Sequence, residues 1–236
     1  MKSNTDYKND ALAALKGNWS PAVLATVVFL LCTLVVVLPL EVPVFMGVTD
    51  EMTALAQSGD LEGVMSLYSR VMSWSSLGTL IQVFFYYVLN LGLSVAFLRL
   101  LRSGDNRLTS NMFEIAFRNY WHKLWGLVLR NIFIFLWSLL LIIPGIIKIF
   151  SYAMTPYILE ENPELSANEA IDRSRAMMKG HKFDLFWLFL SFLGWLILGI
   201  FTLGIGYLWL IPYMQTAVAD FYEDVKADYE VNGGLI

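Results

Sequence analysis

Two ionisable residues interrupt the apolar segments of this 236-residue sequence and are its first candidates for chemistry. Arg130 and Lys148 both lie within stretches that are otherwise apolar. A charged side chain is costly inside a membrane, so such residues often mark substrate pathways or binding sites. Arg130 can instead extend its long side chain back to the aqueous interface. Lys148 follows the Pro144-Gly145 dipeptide, and the depth of that bend decides whether Lys148 faces water or needs an anionic partner.

A second group of candidates is concentrated in one short basic segment. Arg173, Arg175 and Lys179 fall within a predicted amphipathic helix, and Tyr152 closely follows Lys148. Basic side chains beside a span attract anionic lipid headgroups or a protein partner, although they also simply orient a span. The candidate lipid- or substrate-binding residues are therefore Arg130, Lys148, Tyr152, Arg173, Arg175 and Lys179.

Motifs for catalysis or cofactor binding do not accompany these residues. The sequence has no Walker loop, no dinucleotide fingerprint and no GxSxG nucleophile motif. Its two histidines, His122 and His181, lack a Cys or carboxylate cluster at metal-ligand spacing. We therefore predict a protein that is not an enzyme and holds no cofactor or metal. The net charge of −4 also argues against a nucleic-acid partner.

The composition predicts that membrane-spanning helices position the candidate residues. Hydrophobic residues make up 57% of the chain and charged residues only 15%, whereas a soluble domain carries about 25% charged residues. We predict a single all-α polytopic membrane domain with six transmembrane helices arranged as three hairpins. The predicted spans are 21–40, 77–98, 124–143, 146–159, 183–201 and 203–219, with an outer loop at 41–76.

The connection at 41–76 and the fourth span each leave two alternatives. Within 41–76, Asp60 is well placed to begin a helix, although a simple loop fits equally well. The segment 146–159 is only about 21 Å long as a helix, which is less than the hydrocarbon thickness. It is therefore either a short span or part of a re-entrant hairpin bent at Pro144-Gly145.

The distribution of basic residues orients the predicted spans. Thirteen of the sixteen Lys and Arg residues fall in the first twenty residues, in 99–123, in 160–182 and in the tail, against one in 41–76. Because loops rich in Lys and Arg stay in the cytoplasm, both termini are predicted to be cytoplasmic.

Three amphipathic stretches precede the predicted hairpins and align as copies of one unit. Ser166 and Glu169 have capping-box spacing, and Gly180 suits the end of that helix. Each helix either lies in the headgroup layer and orients its span, or forms a docking surface for lipid or a partner. The predicted apolar faces are Tyr7, Ala11, Ala14 and Leu15; Phe113, Ala116, Phe117, Tyr120 and Trp121; and Ala170, Ile171, Ser174, Met177 and Met178.

The C-terminal third carries a series of short motifs that belong together in one known family. They include IPGIIK at 143–148, YAMTPY at 152–157, ENPE at 161–164, MKGH at 178–181 and LGIG at 203–206. With these motifs the sequence resembles the bacterial integral membrane proteins of domain-of-unknown-function family 975. The resemblance implies a multi-pass protein of the bacterial cytoplasmic membrane with undefined activity, and it supplies no catalytic residue.

The expected function is therefore non-enzymatic binding at the cytoplasmic face. The partners expected there are membrane lipids, anionic ones among them, or another protein. The alternative is a small-molecule or lipid transporter with a site between hairpins near Arg130 and Lys148.

Overall fold

The computed structural model describes residues 1–231, with side chains described throughout that range except at 37–46 and at Leu77. Within this range the secondary structure is α-helical and contains no strand, which confirms the all-α prediction. The helices are α1 (Asn4–Leu15), α2 (Trp19–Ser58), α3 (Leu61–Ser103), α4 (Leu108–Phe117), α5 (Tyr120–Leu140), α6 (Ile142–Ser151), α7 (Thr155–Glu161), α8 (Ala167–Met177), α9 (Lys182–Leu190), α10 (Leu193–Phe201) and α11 (Tyr207–Val231).

Five helical stretches in the described range are long and apolar enough to cross a membrane. They are Trp19–Val36, Leu61–Ser103, Tyr120–Leu140, Ile142–Glu161 and Lys182–Phe201. Each overlaps one of the first five predicted spans. Their length and hydropathy indicate a membrane protein.

The sixth predicted span, 203–219, is not among these stretches. Its helix, α11, begins only at Tyr207 and continues beyond Ala219 into a section that contains Asp220, Glu223 and Asp224. The apolar part of α11 is thus about 20 Å long, which is shorter than the roughly 30 Å of a hydrocarbon core. The structure therefore does not confirm a count of six.

The connection predicted as an outer loop at 41–76 is helical. α2 extends to Ser58 and α3 begins at Leu61, so only Gly59 and Asp60 separate them. Gly59 has a φ of 70°, which favours glycine. Asp60 Oδ1 accepts a hydrogen bond of 2.9 Å from the Gly63 amide, as an N-cap residue does. Of the two alternatives, the helix beginning at Asp60 is the one observed.

Contacts group the chain into two units. One unit is Phe29–Tyr87, in which the rings of Phe29 and Tyr86 lie 5.6 Å apart between centroids. The other consists of Met1–Val28 and the chain from Val88 onwards. Every candidate residue named from the sequence belongs to this second unit, so the site is described within it.

α5 and α6 form a tight hairpin whose bend lies earlier than predicted. The helix breaks at Leu141, with φ −159° and ψ 142°, and Pro144-Gly145 lies inside the first turn of α6. Proline is tolerated there because its missing N–H would have had no helical partner. Gly145 permits the close approach of α5, since a Cβ at that position would collide with Ser138.

α8 buries the face that its sequence predicts. Ser166 and Glu169 form both hydrogen bonds of a capping box, and Gly180 has a φ of 95°. The apolar face packs against α5 and α7. These two helices therefore cover the apolar face of α8. The buried residues are Ala170, Ile171, Ser174, Met177 and Met178.

α4 buries a different face from the predicted one. Of the predicted face only Ala116 is buried, and it packs with Leu108, Met112 and Ile115. α4 ends at Phe117 and Asn119 adopts a φ of 52°, so the residues after it follow the register of α5. The predicted aromatic residues instead form a chain of neighbouring rings, each 5.4–6.3 Å from the next: Phe113, Phe117, Tyr120 and Trp121.

Candidate functional site

Three basic side chains converge on one cleft where α8 ends and α9 begins. Arg175, Lys179 and Lys182 line a cavity of about 410 Å³ together with Asp172 and Ala176. Asp172 bonds to Arg175 at 3.0 Å and is the one acid among these five lining residues. We call this cavity the basic cleft. It contains two of the predicted residues, Arg175 and Lys179, and adds Lys182 to them.

Lys148 and Tyr152 lie close to the basic cleft. The Lys148 ammonium is 4.5 Å from the centroid of the Trp137 ring and 5.5 Å from that of Tyr152. Such cation–π contacts hold the charge against aromatic faces. Lys148 is also near enough to Arg175 and Lys182 for their charges to act on it. A fourth positive charge therefore contributes to the potential around the cleft.

Arg173 does not join the basic cleft. It is two residues from Arg175 on α8, and residues two apart point in different directions around a helix. Its guanidinium donates to Asn162 Oδ1 at 3.0 Å. Arg173 therefore contacts the turn between α7 and α8 and does not line the cleft.

Arg130 lines a separate cavity of about 290 Å³. Its polar neighbours there are Asn90, Ser94, Tyr157 and Gln215. Neither this cavity nor the basic cleft is lined by both Arg130 and Lys148. The two intramembrane charges that the sequence suggested for one site are thus found in different places. We call this space the Arg130 cavity.

An ion-pair network at the end of α7 was not anticipated from the sequence. The Glu160 carboxylate contacts Arg99, Arg118 and Lys123. The side chain of Lys123 is only 2% exposed; it lies 2.6 Å from Glu160 and also donates to the Ile115 carbonyl oxygen. A buried ammonium needs such partners because transfer out of water is costly.

Glu161 extends this network to α3 and α11. Its carboxylate lies 2.5 Å from Arg102 and 2.7 Å from Lys226, and the Tyr222 hydroxyl donates to it at 2.7 Å. Arg102 also bonds to Glu223. We call Glu160, Glu161 and their partners the glutamate network. One sequence signal does point to it, because these are the first acids after Glu114 in a chain section with many basic neighbours.

Side chains in and just before α1 form hydrogen bonds with α11, the helix that also carries Tyr222 and Lys226 of this network. The Tyr7 hydroxyl donates to Asp224 at 2.6 Å, and the Lys2 ammonium donates to Asp220 at 2.7 Å. Burial raises the pKa of Asp224, but the hydrogen bonds from Tyr7 and from the Lys2 amide outweigh it and hold that pKa below its usual range. Burial raises the pKa of Asp220, and the bond to Lys2 offsets only part of this.

Metal-binding chemistry finds no support among the residues that the structure describes. No group of three or more His, Cys, Asp or Glu side chains in the described range is arranged to hold a metal ion. The geometry offers charge and hydrogen bonding: three bases line one open cleft, and one base lies beside polar neighbours in a second open cavity.

The chain matches one family model, which carries the description "Protein of unknown function (DUF975)", over residues 1–154 and 139–229. This match confirms the resemblance that the C-terminal motifs suggested. No curated protein matches the chain, and no solved structure matches it.

Proposed function

Since the chain belongs to the DUF975 family, whose function is unknown, its role has to be inferred from its own geometry, and we propose that it binds anionic lipid headgroups at the basic cleft without catalysing a reaction. The observation that carries this proposal is the convergence of Arg175, Lys179 and Lys182 on one cavity with a single acid. Ammonium and guanidinium groups bind phosphate oxygens through strong, charge-assisted hydrogen bonds.

The position of the cleft along the chain supports a lipid as the occupant. Lys182 is the first residue of the apolar stretch Lys182–Phe201, so the cleft lies where that stretch begins. Phe183 and Trp187, which follow within two turns, are both exposed. Aromatic residues of this kind collect at the boundary between headgroups and hydrocarbon. A lipid whose chains lie along this apolar surface would have its phosphate at the level of the basic cleft.

We propose that this face points to the cytoplasm of a bacterial cell and that the protein is a multi-pass component of its cytoplasmic membrane. The excess of basic residues in 99–123 and 160–182 supports this orientation. So does the surface potential of an anionic inner leaflet, which attracts basic segments. In the same proposal α11 supplies a sixth, short span. The position of Lys148 beside the basic cleft favours a hairpin in which α6 returns towards this face.

The transporter alternative requires a cavity that contains at least one of Arg130 and Lys148. Arg130 lines a cavity of about 290 Å³, whereas Lys148 lines neither that cavity nor the basic cleft. A protein partner at the basic cleft is a further competitor. Binding of a protein partner, unlike binding of a lipid, would not depend on which headgroups the membrane contains.

Lipid binding is tested by native mass spectrometry of the full chain with phosphatidylglycerol and, separately, phosphatidylcholine. We expect the wild type to retain the anionic lipid more strongly than the zwitterionic one. Each base near an anionic surface contributes about 1 kcal/mol, so the double variant Lys179→Gln/Lys182→Gln should bind phosphatidylglycerol roughly 30-fold more weakly. Equal retention of both lipids by the wild type would exclude a headgroup site.

A matched control removes two bases of the same face outside the cleft. Lys16 and Arg107 are both exposed, and Lys16→Gln/Arg107→Gln changes the net charge by the same amount. This variant should retain phosphatidylglycerol like the wild type. If both double variants lose the lipid equally, the attraction arises from overall charge, and the basic cleft is not a site.

A further inference from the structure

The basic cleft carries more positive charge than a single phosphodiester can neutralise. Arg175, Lys179 and Lys182 line it together with one acid, Asp172. The Asp172 carboxylate pairs with Arg175 at 3.0 Å. In the described part of the chain, neither lysine has a carboxylate within salt-bridge distance. The lining therefore keeps an excess of two positive charges, whereas the phosphodiester of a lipid such as phosphatidylglycerol supplies one negative charge.

Lys148 of α6 adds a further positive charge beside the cleft. Its ammonium lies over the rings of Trp137 and Tyr152, and it forms no salt bridge with the residues that the structure describes. The charges of Arg175 and Lys182 both act on it, and the acid that also does so is the one already paired in the cleft. Four bases against one acid leave an excess of three positive charges around the cleft.

Two helices that bring bases to this region also expose apolar side chains. α6 and α9 are in contact, and the rings of Phe150 and Phe186 lie 5.8 Å apart between centroids. Both helices belong to stretches that are apolar enough to cross a membrane, where exposed apolar side chains meet acyl chains. A lipid at the cleft can therefore place chains along two helices. Exposed side chains are Ile146 and Ile149 on α6, and Phe183 and Trp187 on α9.

We propose that the basic cleft binds a lipid headgroup that contains two phosphate groups, such as the headgroup of cardiolipin. This inference rests on the proposed headgroup binding and names the class of lipid. One phosphate pairs with the bases that line the cleft, and the other pairs with Lys148. Two phosphates leave one positive charge of the three unneutralised, whereas a single phosphate leaves two. Basic pockets between membrane helices suit headgroups of this kind.

The test is native mass spectrometry of the full chain in detergent with four lipids, each at the same concentration. They are cardiolipin, phosphatidylglycerol, phosphatidylcholine and dilysocardiolipin, which has two phosphates but only two chains, like phosphatidylglycerol. Cardiolipin and dilysocardiolipin should each bind at least about fivefold more tightly than phosphatidylglycerol, the factor expected for one further base near an anionic group.

The four lipids separate this inference from the proposed function. If phosphatidylglycerol binds as tightly as both two-phosphate lipids, and all three exceed phosphatidylcholine, the headgroup site stands and the preference for two phosphates is wrong. It is also wrong if cardiolipin alone is favoured, because the number of chains then decides. If no anionic lipid exceeds phosphatidylcholine, the proposed function fails as well.

A variant at Lys148 locates the second phosphate. Lys148→Gln should weaken the binding of cardiolipin at least about fivefold and that of phosphatidylglycerol less than about twofold. Lys16→Gln, which removes an exposed base outside the cleft, should leave both affinities unchanged. An equal loss of both lipids in Lys148→Gln would overturn the assignment of a second phosphate to this residue. If Lys148→Gln does not fold, the comparison of dilysocardiolipin with phosphatidylglycerol in the wild type decides.

Discussion

Two groups of basic residues in the same unit of the molecule differ in what surrounds their charges. In the glutamate network, five bases contact two adjacent acids, and Lys123 is almost fully buried among them. In the basic cleft, Asp172 is the one acid among the lining residues, and it pairs with Arg175, whose side chain is 55% exposed. Paired and buried bases hold helices together, whereas exposed bases around an open cavity are available to a ligand. The number of acids beside a base therefore says more about its role than its position in the sequence.

The largest effect should come from removing the acid that neutralises Lys123. Glu160→Gln leaves a buried ammonium without its charge partner, which typically costs about 3–5 kcal/mol. In a chain of this size the unfolding temperature should fall by roughly 6–20 °C, as measured by thermal unfolding in detergent. Glu164→Gln removes a nearby exposed acid and should change the free energy of unfolding by less than about 0.5 kcal/mol. Similar losses in both variants would contradict the distinction between buried and exposed charges.

The next largest effect is expected at Glu161, whose two basic partners, Arg102 and Lys226, are partly exposed. Glu161→Gln should destabilise the protein by about 1.5–3 kcal/mol, the range for hydrogen bonds to charged groups. A double-mutant cycle with Lys226→Gln should give a coupling of at least about 0.5 kcal/mol, since the two side chains are in contact. A coupling near zero would mean that this pair does not hold α7 to α11.

A smaller, pH-dependent effect is expected where α1 meets α11. Tyr7→Phe removes the hydrogen bond to Asp224 and should cost about 1 kcal/mol at pH 7. The pKa of Asp224 is lowered in the folded protein. The ionised carboxylate therefore contributes to stability at pH values above the unfolded pKa of about 3.9. This contribution is lost as the pH falls through the folded pKa. Thermal unfolding from pH 7 to pH 3 should therefore show the difference from the wild type shrinking below about pH 4. Tyr68→Phe, at an exposed tyrosine, should show no difference at any pH.

The smallest effect on stability is expected in the basic cleft. Lys179→Gln/Lys182→Gln removes two of the three bases that line the cleft. Because neither lysine is buried, the free energy of unfolding should stay within about 0.5 kcal/mol of the wild type. Chemical denaturation in the absence of anionic lipid measures it. A loss of more than about 2 kcal/mol would show that these bases hold the fold and would place them with the glutamate network.

Local features of the sequence predicted local structure well. The Ser166–Glu169 capping box and the helical spacing of Ala170, Ser174 and Met177 predicted both the start of α8 and its buried face. The periodicity of the sequence predicted the wrong buried face for α4, because Asn119 takes a left-handed conformation and ends the register of the helix. That backbone conformation has no distinctive signature in the residue types of the segment.

Pairing over long distances along the chain could not be predicted. Tyr222 and Lys226 are 61 and 65 residues from Glu161, so their contacts depend on how whole helices pack. The same limit applies to Arg130 and Lys148. Both could be identified from the sequence as charges within apolar segments, but that Arg130 lines a cavity with residues of α3, α7 and α11, and that Lys148 does not, depends on how the helices pack.

The central claim is that the bases of the basic cleft bind anionic lipid while the bases of the glutamate network hold the fold. The most direct test compares the unfolding temperature of the wild type and of Arg175→Gln/Lys179→Gln/Lys182→Gln, each with and without excess phosphatidylglycerol. A ligand at 100 times its Kd stabilises the folded state by about 2.7 kcal/mol, so the wild type should unfold several degrees higher with the lipid. The triple variant should match the wild type without lipid and gain nothing from it. An equal gain in both proteins would contradict the account.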